Sequence, residues 1–466
     1  MVLISVRVKS KIPITKKYGY YCVPNLFMKK LFTLILLLPY IAFAQLPAAT
    51  FHADARHTGT YTAKNYSTFA GLKWQFKTDG KIFSSPAVSN GVAYIGSEDN
   101  SLYAINIKTG RLIWKYCTGG AVHSSPSVNK GRVCFGSYDG YYYTLNARTG
   151  KLLWKFKTGG EKKVGAKGLW TMQPADEYMD DLYDFFLSSP IFSTDGSTLY
   201  FGSSDSNLYA VNTATGKIKW YFKTGGLIHT TPALYNGKLY FGSWDTYFYA
   251  IDATTGKLAW KFKTGVQPQY HVLEGIQASA TCSNGMVYFG SRDGFFYALN
   301  AITGKLNWKY AADNSWVLTT AAVQNGVLYI GTSDTYLLLA FDATTGKQLF
   351  KYKANGYIYS SPVLSATTVF FGDFTGKLFA VNAKNGRLSG TYTTAARNKN
   401  AAAVLKKDTL DFGYLMQGYN NALYSTSVYV MDKFYTLGPI VSSPVINNGI
   451  IYFGSAGGYL YAVSLR

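Results

Sequence analysis

The sequence predicts an all-β fold made of repeated four-stranded antiparallel units, and three observations carry this prediction. Related stretches of roughly 41 residues fill almost all of the chain after residue 70. Each stretch holds four short apolar or alternating runs, separated by turn-forming pairs such as Asp-Gly and Thr-Gly. The two ends of the chain supply complementary parts of one further unit. Units of this size with four strands each are typical of the blades of a closed β-propeller.

The unit is clearest over residues 124–160. Strand A follows a Ser-Ser-Pro motif, strand B ends at a Phe-Gly-Ser motif, strand C is rich in tyrosine, and strand D contains a tryptophan. The glycine that ends strand B marks each copy: Gly96, Gly136, Gly202, Gly242, Gly290, Gly331, Gly372, Gly413 and Gly454. Nine modules can therefore be counted, of which the one at 401–436 is degenerate. We expect a propeller of eight or nine blades.

The two chain ends predict how the ring closes. The last module stops after its strand C at 459–463, whereas residues 72–78 form a strand D without a preceding module. Pairing the two would close the ring over residues 71–466 and remove the two sheet edges that an open array of repeats would leave exposed. We expect the closed ring to be a monomer.

The chain begins with a predicted leader. Residues 28–44 combine two lysines, an apolar run at 31–38 and a small-residue cleavage site, which is typical of a secretory signal peptide. Residues 1–27 are interpreted as a non-native extension, although a signal anchor with a longer tail is the alternative. No cysteine follows the cleavage site, so we expect a periplasmic or secreted chain without a lipid anchor or a transmembrane span. The lead-in at 45–70 is interpreted either as a plug against one face or as a solvated segment.

The charge and the cysteine content narrow the range of functions that the chain can have. The net charge is +22, and many lysines, such as Lys155 and Lys261, recur on strand D, where they protect an exposed sheet edge. The sequence has no basic helix or nucleic-acid-binding motif, so no nucleic-acid partner is predicted. The cysteines after the leader, Cys117, Cys134 and Cys282, have no metal-site spacing and are interpreted as small apolar residues.

Two repeated positions are interpreted as structural. A tryptophan in strand D suits packing between neighbouring blades, and Gly390 at this position predicts a weak seam. The tryptophans are Trp74, Trp114, Trp154, Trp220, Trp260 and Trp308. An aspartate three residues after the marker glycine is interpreted as turn chemistry. The aspartates are Asp99, Asp139, Asp205, Asp245, Asp293 and Asp334.

Length variation predicts which face binds a partner. An insertion at 161–186 and a shorter one at 266–275 both lie between strand D of one module and strand A of the next. Such connections share one face of a propeller, and loops on a rigid scaffold often carry function. The candidate binding residues on these loops are Trp170, Tyr178, Tyr270 and His271. The acidic candidates for a metal site are Asp176, Asp180 and Asp181.

The residue before each Ser-Ser-Pro motif is expected to line the mouth of the central channel. These residues differ between copies, and several are polar where a packed core would be apolar. The candidates for a ligand or partner site at the mouth are His123, His229, Gln277, Tyr359 and Asn400. No catalytic residue is assigned.

The repeat resembles the pyrroloquinoline-quinone-like β-propeller family. Residues 205–222 and 245–262 show its Asp-x-x-x-Tyr-Ala and Thr-Gly-Lys-x-x-Trp-x-Phe pattern well, and residues 51–59 look like its lead-in. The chain is similar to the propeller subunit of the outer-membrane protein assembly machinery, which implies a protein partner in the cell envelope. Quinone-dependent dehydrogenases share the repeat, which implies pyrroloquinoline quinone and calcium as alternative cofactors.

These observations favour a non-catalytic binding or scaffold propeller of the bacterial cell envelope. It would use the variable loop face and the channel mouth to bind a protein or glycan. One alternative is a quinone-dependent dehydrogenase, but the chain lacks the adjacent cysteine pair and the Cys-x-x-Cys-His motif that the resemblance implies for such enzymes. The other is a carbohydrate- or polyanion-binding protein that uses the basic charge and the aromatic residues near the variable face, Trp170, Tyr178, Tyr270 and Trp316.

Overall fold

The computed structural model describes residues 49–61, 65–265, 274–313 and 315–466. The predicted extension at 1–27, the predicted leader at 28–44, and the candidate residues Tyr270 and His271 lie outside the described residues. No helix within the described ranges is long and apolar enough to cross a membrane.

Eight four-stranded antiparallel blades form a β-propeller, as predicted. In each blade strand A is innermost and strand D outermost. Blade 1 comprises Ala87–Ser89, Val92–Ser97, Ser101–Asn106 and Leu112–Cys117, and blade 2 comprises Ser127–Asn129, Arg132–Ser137, Tyr141–Asn146 and Leu152–Lys157. Blade 3 comprises Ile191–Phe192, Thr198–Gly202, Asn207–Asn212 and Ile218–Lys223, and blade 4 comprises Ala233–Tyr235, Lys238–Gly242, Tyr247–Asp252 and Leu258–Lys263. Blade 5 comprises Thr281–Ser283, Met286–Gly290, Phe295–Asn300 and Leu306–Ala311, and blade 6 comprises Ala322–Gln324, Val327–Gly331, Leu337–Asp342 and Gln348–Lys353. Blade 7 comprises Val363–Leu364, Thr368–Gly372, Lys377–Asn382 and Leu388–Thr393, and blade 8 comprises Val445–Asn447, Ile450–Ser455, Tyr459–Leu465 and Phe69–Lys77.

The last blade confirms the predicted closure of the ring. Its outermost strand, Phe69–Lys77, pairs antiparallel with Tyr459–Leu465, and Phe76 lies opposite Leu460. The N-terminal part of the propeller thus completes the C-terminal blade, and no blade lacks its outer strand.

The chain order of the strands defines two faces. The B-to-C loops and the connections from strand D to the next strand A lie at one end of the ring, which we call the capped face. The A-to-B and C-to-D turns lie at the other end, which we call the turn face.

The Ser-Ser-Pro motifs, and the serine or threonine that replaces them in blades 4 to 6, link neighbouring blades around the channel. The backbone N–H of Ser85 donates to the hydroxyl of Ser125 (2.9 Å) in the next blade. The N–H of Ser443 in blade 8 donates in turn to the hydroxyl of Ser85 (2.9 Å). Matching bonds join Ser125 to Ser189, Ser189 to Thr231, Thr231 to Ser279, Thr320 to Ser361, and Ser361 to Ser443. Buried backbone donors need partners, and the motif satisfies them while it links the blades.

The repeated tryptophans pack against the C-to-D turn of the next blade. Trp114 donates from Nε1 to the carbonyl oxygen of Ala147 (3.2 Å), and its ring covers Gly150, where an added Cβ atom would lie 2.7 Å from the ring. Gly150 has a φ of +70°, which favours glycine because it carries no Cβ atom. Tryptophan and turn glycine are thus one packing unit that spans two blades.

The repeated aspartates also join blades. The Oδ2 atom of Asp139 accepts from the backbone N–H of Gly119 and from the hydroxyl of Tyr143, both at 2.7 Å. Gly119 follows strand D of the preceding blade, so the carboxylate is more than the turn residue that the sequence predicts. Asp99, Asp205, Asp245 and Asp293 make the equivalent pair of bonds.

Gly390, predicted to mark a weak seam, is instead packed by the closing strand. A Cβ atom there would collide with Oγ1 of Thr68. Phe69 fills the neighbouring space, with its ring 5.7 Å from Phe370 and 6.3 Å from Tyr392. Blade 8 has no C-to-D turn against which a tryptophan could pack, and glycine lets the N-terminal strand pass.

The degenerate ninth unit at 401–436 is not a blade. Its region forms three helices, which we number α1 (Ala395–Val404), α2 (Phe412–Leu415) and α3 (Tyr424–Tyr435). Thr394 caps α1 by accepting from the N–H of Arg397 (3.2 Å), and Asp411 caps α2 by accepting from that of Tyr414 (2.8 Å). The nine-module count fails here because the segment matches the repeat in length but has capping residues and an alanine run where the repeat has strands.

The lead-in crosses the inner strands on the turn-face side of the channel. The backbone carbonyl oxygens of Ala55, Arg56 and Thr58 accept from strand A of blades 4, 5 and 6 at 2.7, 2.9 and 2.8 Å. His52 and His57 are buried and donate to the carbonyl oxygens of Pro362 (2.8 Å) and Ala280 (2.9 Å). Residues 49–61 therefore act as a strap that closes this end of the channel.

Candidate functional site

The insertion at 161–186 enters the mouth of the channel on the capped face. The buried ring of Phe185 stacks on Phe83 with 5.4 Å between ring centres. It also contacts Tyr359 at 5.4 Å and Phe374 at 5.8 Å. The residues that were expected to line an open mouth thus form an apolar cluster around a side chain of the same protein.

The polar residues predicted at the mouth bind the insertion. His123 donates from Nδ1 to the carbonyl oxygen of Phe185 (2.8 Å). Gln277 donates from Nε2 to Oδ1 of Asp184 (3.2 Å). His123, His229 and Gln277 are all nearly inaccessible to solvent. These side chains bond to polar groups of the insertion, which explains why their positions are polar where a packed core would be apolar.

His229 and Asp184 form a buried ion pair, with 3.0 Å between Nδ1 and Oδ1. Burial opposes the charge on both groups, but each stabilises the charge of the other. Burial would lower the pKa of His229, yet the Asp184 carboxylate more than offsets this and raises it. Burial would raise the pKa of Asp184, yet His229 and the backbone N–H of Val164 lower it. The pair fixes residue 184 at the channel mouth in its charged state.

Arg292 is the largest fully buried side chain of the mouth, and sequence reasoning missed it. Its guanidinium lies between the rings of Trp244 and Trp316, 4.7 and 4.3 Å from their centres. Nη1 lies 2.5 Å from Oδ2 of Asp181, and Nη2 donates to Oε1 of Gln277 (2.7 Å). The sequence feature that could have identified Arg292 is its position directly before the repeated aspartate of one copy.

The insertion and the helical segment form one cap. The backbone N–H of Gln173 donates to the carbonyl oxygen of Ala422 (2.8 Å), and the hydroxyl of Tyr424 donates to that of Asp180 (2.8 Å). On the inner side of α3, Val430 and Phe434 are fully buried against the apolar cluster at the mouth. The helices thus cover the insertion where it meets the ring.

A cleft with a volume of about 400 Å³ opens between the cap and blades 5 to 7. Three aromatic rings form its wall: Trp170 lies 5.9 Å from Tyr183 and 6.2 Å from Trp316, measured between ring centres. The lining residues are Trp170, Met172, Leu182, Tyr183, Asp313, Trp316, Asp334, Tyr359, Phe412 and Ser427. The cleft is thus mainly apolar, with five aromatic residues among its ten lining residues, and it carries two carboxylates.

Asp334 departs from the other repeated aspartates. Gly331 pairs with Leu338, seven residues on, whereas the equivalent Gly290 pairs with Phe296, six residues on. The extra residue in the B-to-C loop of blade 6 moves Asp334 out of its position between two blades. The structure places its side chain at the cleft, accessible to solvent. Partial desolvation by the surrounding side chains raises the pKa of Asp334.

The remaining predicted residues lie apart from the cleft or at its edge. Tyr178 is exposed on a hairpin formed by Gly165–Lys167 and Tyr178–Asp180. Asn400 lies on α1, where its side chain donates to the carbonyl oxygen of Thr436 (2.7 Å). Trp170 and Tyr359 line the cleft.

The metal candidates do not come together. Asp176 and Asp180 are exposed, whereas Asp181 is buried against Arg292. In the part of the chain that the structure describes, no group of three His, Cys, Asp or Glu side chains could hold a metal ion.

The mouth does not fit pyrroloquinoline quinone with calcium. A planar tricyclic acid would need the space that Phe185 fills among Phe83, Tyr359 and Phe374. Calcium prefers several carboxylate or carbonyl oxygens, but the nearby carboxylates of Asp181 and Asp184 are bound by Arg292 and His229.

Comparisons with known proteins agree with the propeller fold. BamB from Moraxella catarrhalis superposes with a TM-score of 0.61 at 15% identity, over 84% of this chain and 99% of that chain. Quinohemoprotein alcohol dehydrogenase from Comamonas testosteroni superposes with a TM-score of 0.66 at 14% identity, over 90% of this chain and 81% of that chain. At these identities the likeness extends to the fold alone.

Sequence comparison is more specific. Protein Rv3035 of Mycobacterium tuberculosis is 50% identical over 48 residues, which are 10% of this chain and 12% of that protein. A family model described as outer membrane protein assembly factor BamB matches residues 70–167, 163–281 and 271–411. These matches extend over most of the propeller, and the chain therefore belongs to the family of the outer membrane protein assembly factor BamB.

Proposed function

We propose that this protein is a non-catalytic binding propeller of the cell envelope and that it holds a partner in the aromatic cleft of the capped face. The observation that carries the proposal is the cleft itself, in which half-buried aromatic rings remain open to solvent beside two carboxylates. Concave apolar sites with a few polar groups are the usual form of a binding site.

The chemistry of the cleft favours a partner with an apolar side chain beside a positive charge. Trp170, Trp316 and Phe412 offer apolar surface, and aromatic residues are enriched at binding hot spots. Asp313 and Asp334 provide the polar groups of the wall that can carry a negative charge. A lysine- or arginine-containing segment of a protein would satisfy both features.

The family supports the cellular setting. The matching family is described as an outer membrane assembly factor, and residues 28–44 carry the predicted leader. The mouth supports a non-catalytic role, because its titratable groups His229, Asp184 and Arg292 are buried and already have partners: His229 pairs with Asp184, and Arg292 pairs with Asp181.

Site-specific photo-crosslinking in cells tests this proposal. A photoreactive amino acid in place of Trp170 should yield a discrete cross-linked protein, and Trp316→Ala in the same chain should weaken the band. The matched control is the same amino acid at Tyr221, which is 61% exposed on the outer strand of blade 3. Equal products at both positions, or none at Trp170 in a folded chain, would refute the proposal.

A second measurement separates protein from glycan partners. Binding of short peptides that pair phenylalanine with lysine should quench the tryptophan fluorescence of the cleft. Asp334→Asn should weaken this binding, while peptides with glutamate in place of lysine should bind poorly. Saturable binding of neutral oligosaccharides that does not depend on Asp334 would favour the glycan alternative instead.

A further inference from the structure

The turn face repeats one chemical pattern around the ring. In every blade but the one that the N-terminal strand closes, an exposed cation directly precedes strand D. These cations are Arg111, Lys151, Lys217, Lys257, Lys305, Lys347 and Arg387. Each follows a turn glycine that a tryptophan of the preceding blade covers, or Phe350 in the case of Arg387, so the packing between blades fixes their backbone positions.

An exposed aliphatic side chain accompanies each cation. Leu152 is 43% exposed and Leu258 47% exposed, and both are the first residues of their outer strands. The exposed aliphatic residues that directly follow a cation are Leu112, Leu152, Ile218, Leu258, Leu306 and Leu388. In blade 6 this position holds Gln348, and the exposed Leu349 comes next; Leu72 is the equivalent residue of blade 8, which has no such cation. Large exposed apolar side chains are normally scattered, whereas these recur as a circle around the ring, at one strand position in seven of the eight blades.

The charge of this face is strongly positive. The cations in or next to the A-to-B and C-to-D turns are Lys108, Arg111, Lys130, Arg132, Arg148, Lys151, Lys217, Lys238, Lys257, Lys305, Lys347, Lys384 and Arg387. The acidic residues at the same positions are Asp195, Asp252 and Asp342. The repeated aspartates and the acidic insertion lie at the opposite end, so the positive charge of the chain is concentrated on the turn face.

We infer that the turn face docks onto the surface of an anionic phospholipid bilayer. Cations attract the lipid headgroups, and aliphatic side chains between them can enter the boundary of the acyl chains. A soluble polyanion would use the cations but has no apolar phase for the circle of leucines. The alternation of Lys or Arg with Leu or Ile therefore favours a bilayer over a nucleic acid or an anionic polysaccharide.

This orientation complements the capped face without depending on its function. The strap formed by residues 49–61 closes the channel on the turn face, so docking would not expose the channel to lipid. The aromatic cleft lies at the other end of the ring and would point away from the bilayer. Membrane docking and partner binding can thus succeed or fail independently.

Vesicle flotation tests the inference, with vesicles of phosphatidylglycerol and phosphatidylcholine and vesicles of phosphatidylcholine alone. The full chain should bind the anionic vesicles more tightly. The triple variant Lys151→Ser, Lys217→Ser and Lys257→Ser should lose about fivefold in affinity for each cation removed. The matched control, Lys157→Ser, Lys223→Ser and Lys263→Ser, removes the same charge from the other ends of the same strands.

A third variant tests the apolar part. Leu152→Ser, Ile218→Ser and Leu258→Ser should weaken the binding that persists at high salt. All variants share the same N-terminal residues, so differences between them report on the turn face, and thermal unfolding checks that each is folded. Equal losses in the two lysine variants would overturn the inference. So would unchanged binding of the leucine variant, because it would indicate a surface for polyanions only.

Discussion

Arg292 and Asp181 form an ion pair that is fully buried, with 2.5 Å between Nη1 and Oδ2 and side chains 1% and 0% exposed. The arginine belongs to the rigid ring and the aspartate to the insertion. Since neither charge can be solvated while the cap is in place, the pair couples the position of the insertion to the fold of the propeller.

Arg292→Met should therefore destabilise the protein and loosen its cap. Leaving Asp181 buried without a partner is expected to lower the free energy of unfolding by about 3–5 kcal/mol. Denaturant titration measures the loss, and limited proteolysis at 161–186 measures the loosening.

The control for this prediction is an exposed pair of the same type. Arg56 and Asp54 lie 3.1 Å apart with side chains 51% and 36% exposed, so Arg56→Met should change stability by less than about 1 kcal/mol. A double variant with Asp181→Leu should recover part of the loss of Arg292→Met. Equal effects of the two arginine variants would show that the buried pair does not hold the cap.

The His229–Asp184 pair predicts a pH-dependent contribution to stability. The folded-state pKa of Asp184 lies below 3.8 and that of His229 above 6.5. The contribution of Asp184 is lost as the pH falls through its folded pKa, and that of His229 is lost as the pH rises through its folded pKa. The stability difference between wild type and His229→Gln should thus be largest between pH 3.8 and 6.5 and smaller at alkaline pH.

His57 should behave in the opposite way. Burial and the neighbouring His52 lower the pKa of His57 to about 4. Because the unfolded chain binds a proton more readily there, acidification from pH 6.5 towards 4 should destabilise wild type relative to His57→Gln. Urea denaturation at pH 5 and pH 8 checks both histidines, and parallel pH profiles would contradict the assignment.

The packing of tryptophan on turn glycine can be tested with two glycines of the same conformation. Gly256 and Gly237 both have a φ of +71°, but a Cβ atom on Gly256 would lie 2.7 Å from the ring of Trp220, whereas one on Gly237 would meet nothing within 4 Å. Gly237→Ala should cost about 1–2 kcal/mol for its conformation alone. Gly256→Ala should cost more and shift the fluorescence of Trp220; equal costs would show that the contact does not matter.

The closure of the ring at Gly390 predicts a specific rescue. Gly390→Val should destabilise the protein because its side chain would collide with Thr68. Thr68→Ala in the same chain should restore part of the loss, as expected for residues in direct contact. Thermal unfolding of the single and double variants measures this coupling, and strictly additive effects would contradict it.

Much of the architecture could be predicted from the repeat, and the failures have physical causes. The marker glycines and the complementary ends predicted the blades and the closure of the ring because the same packing recurs in every blade. Residues 401–436 misled the count because an inserted segment can match a repeat in length without its strand pattern. Arg292 carried no repeat signal, since it occurs in one copy and acts only with an insertion distant in the chain.

The candidate site shows a similar division. The divergence of His123, His229 and Gln277 marked positions that differ from the rest of the repeat, and the structure shows these side chains bound to the insertion. Which groups they bind could not be read from the sequence, because Asp184 and Phe185 reach them only after the insertion folds over the ring. Asp334 was hidden by its membership of the aspartate series, and only the strand register shows that one extra residue displaces it.

The segment that fills the channel mouth is tethered to the ring at both of its ends. A tethered occupant acts at an effective concentration that is commonly millimolar for short flexible connections. Any free molecule that enters the mouth must therefore compete with the insertion, which stays covalently attached to the ring. The insertion at 161–186 thus occupies the channel mouth of its own propeller. In a related protein, loss or replacement of this one segment would open the channel to a ligand in a single step.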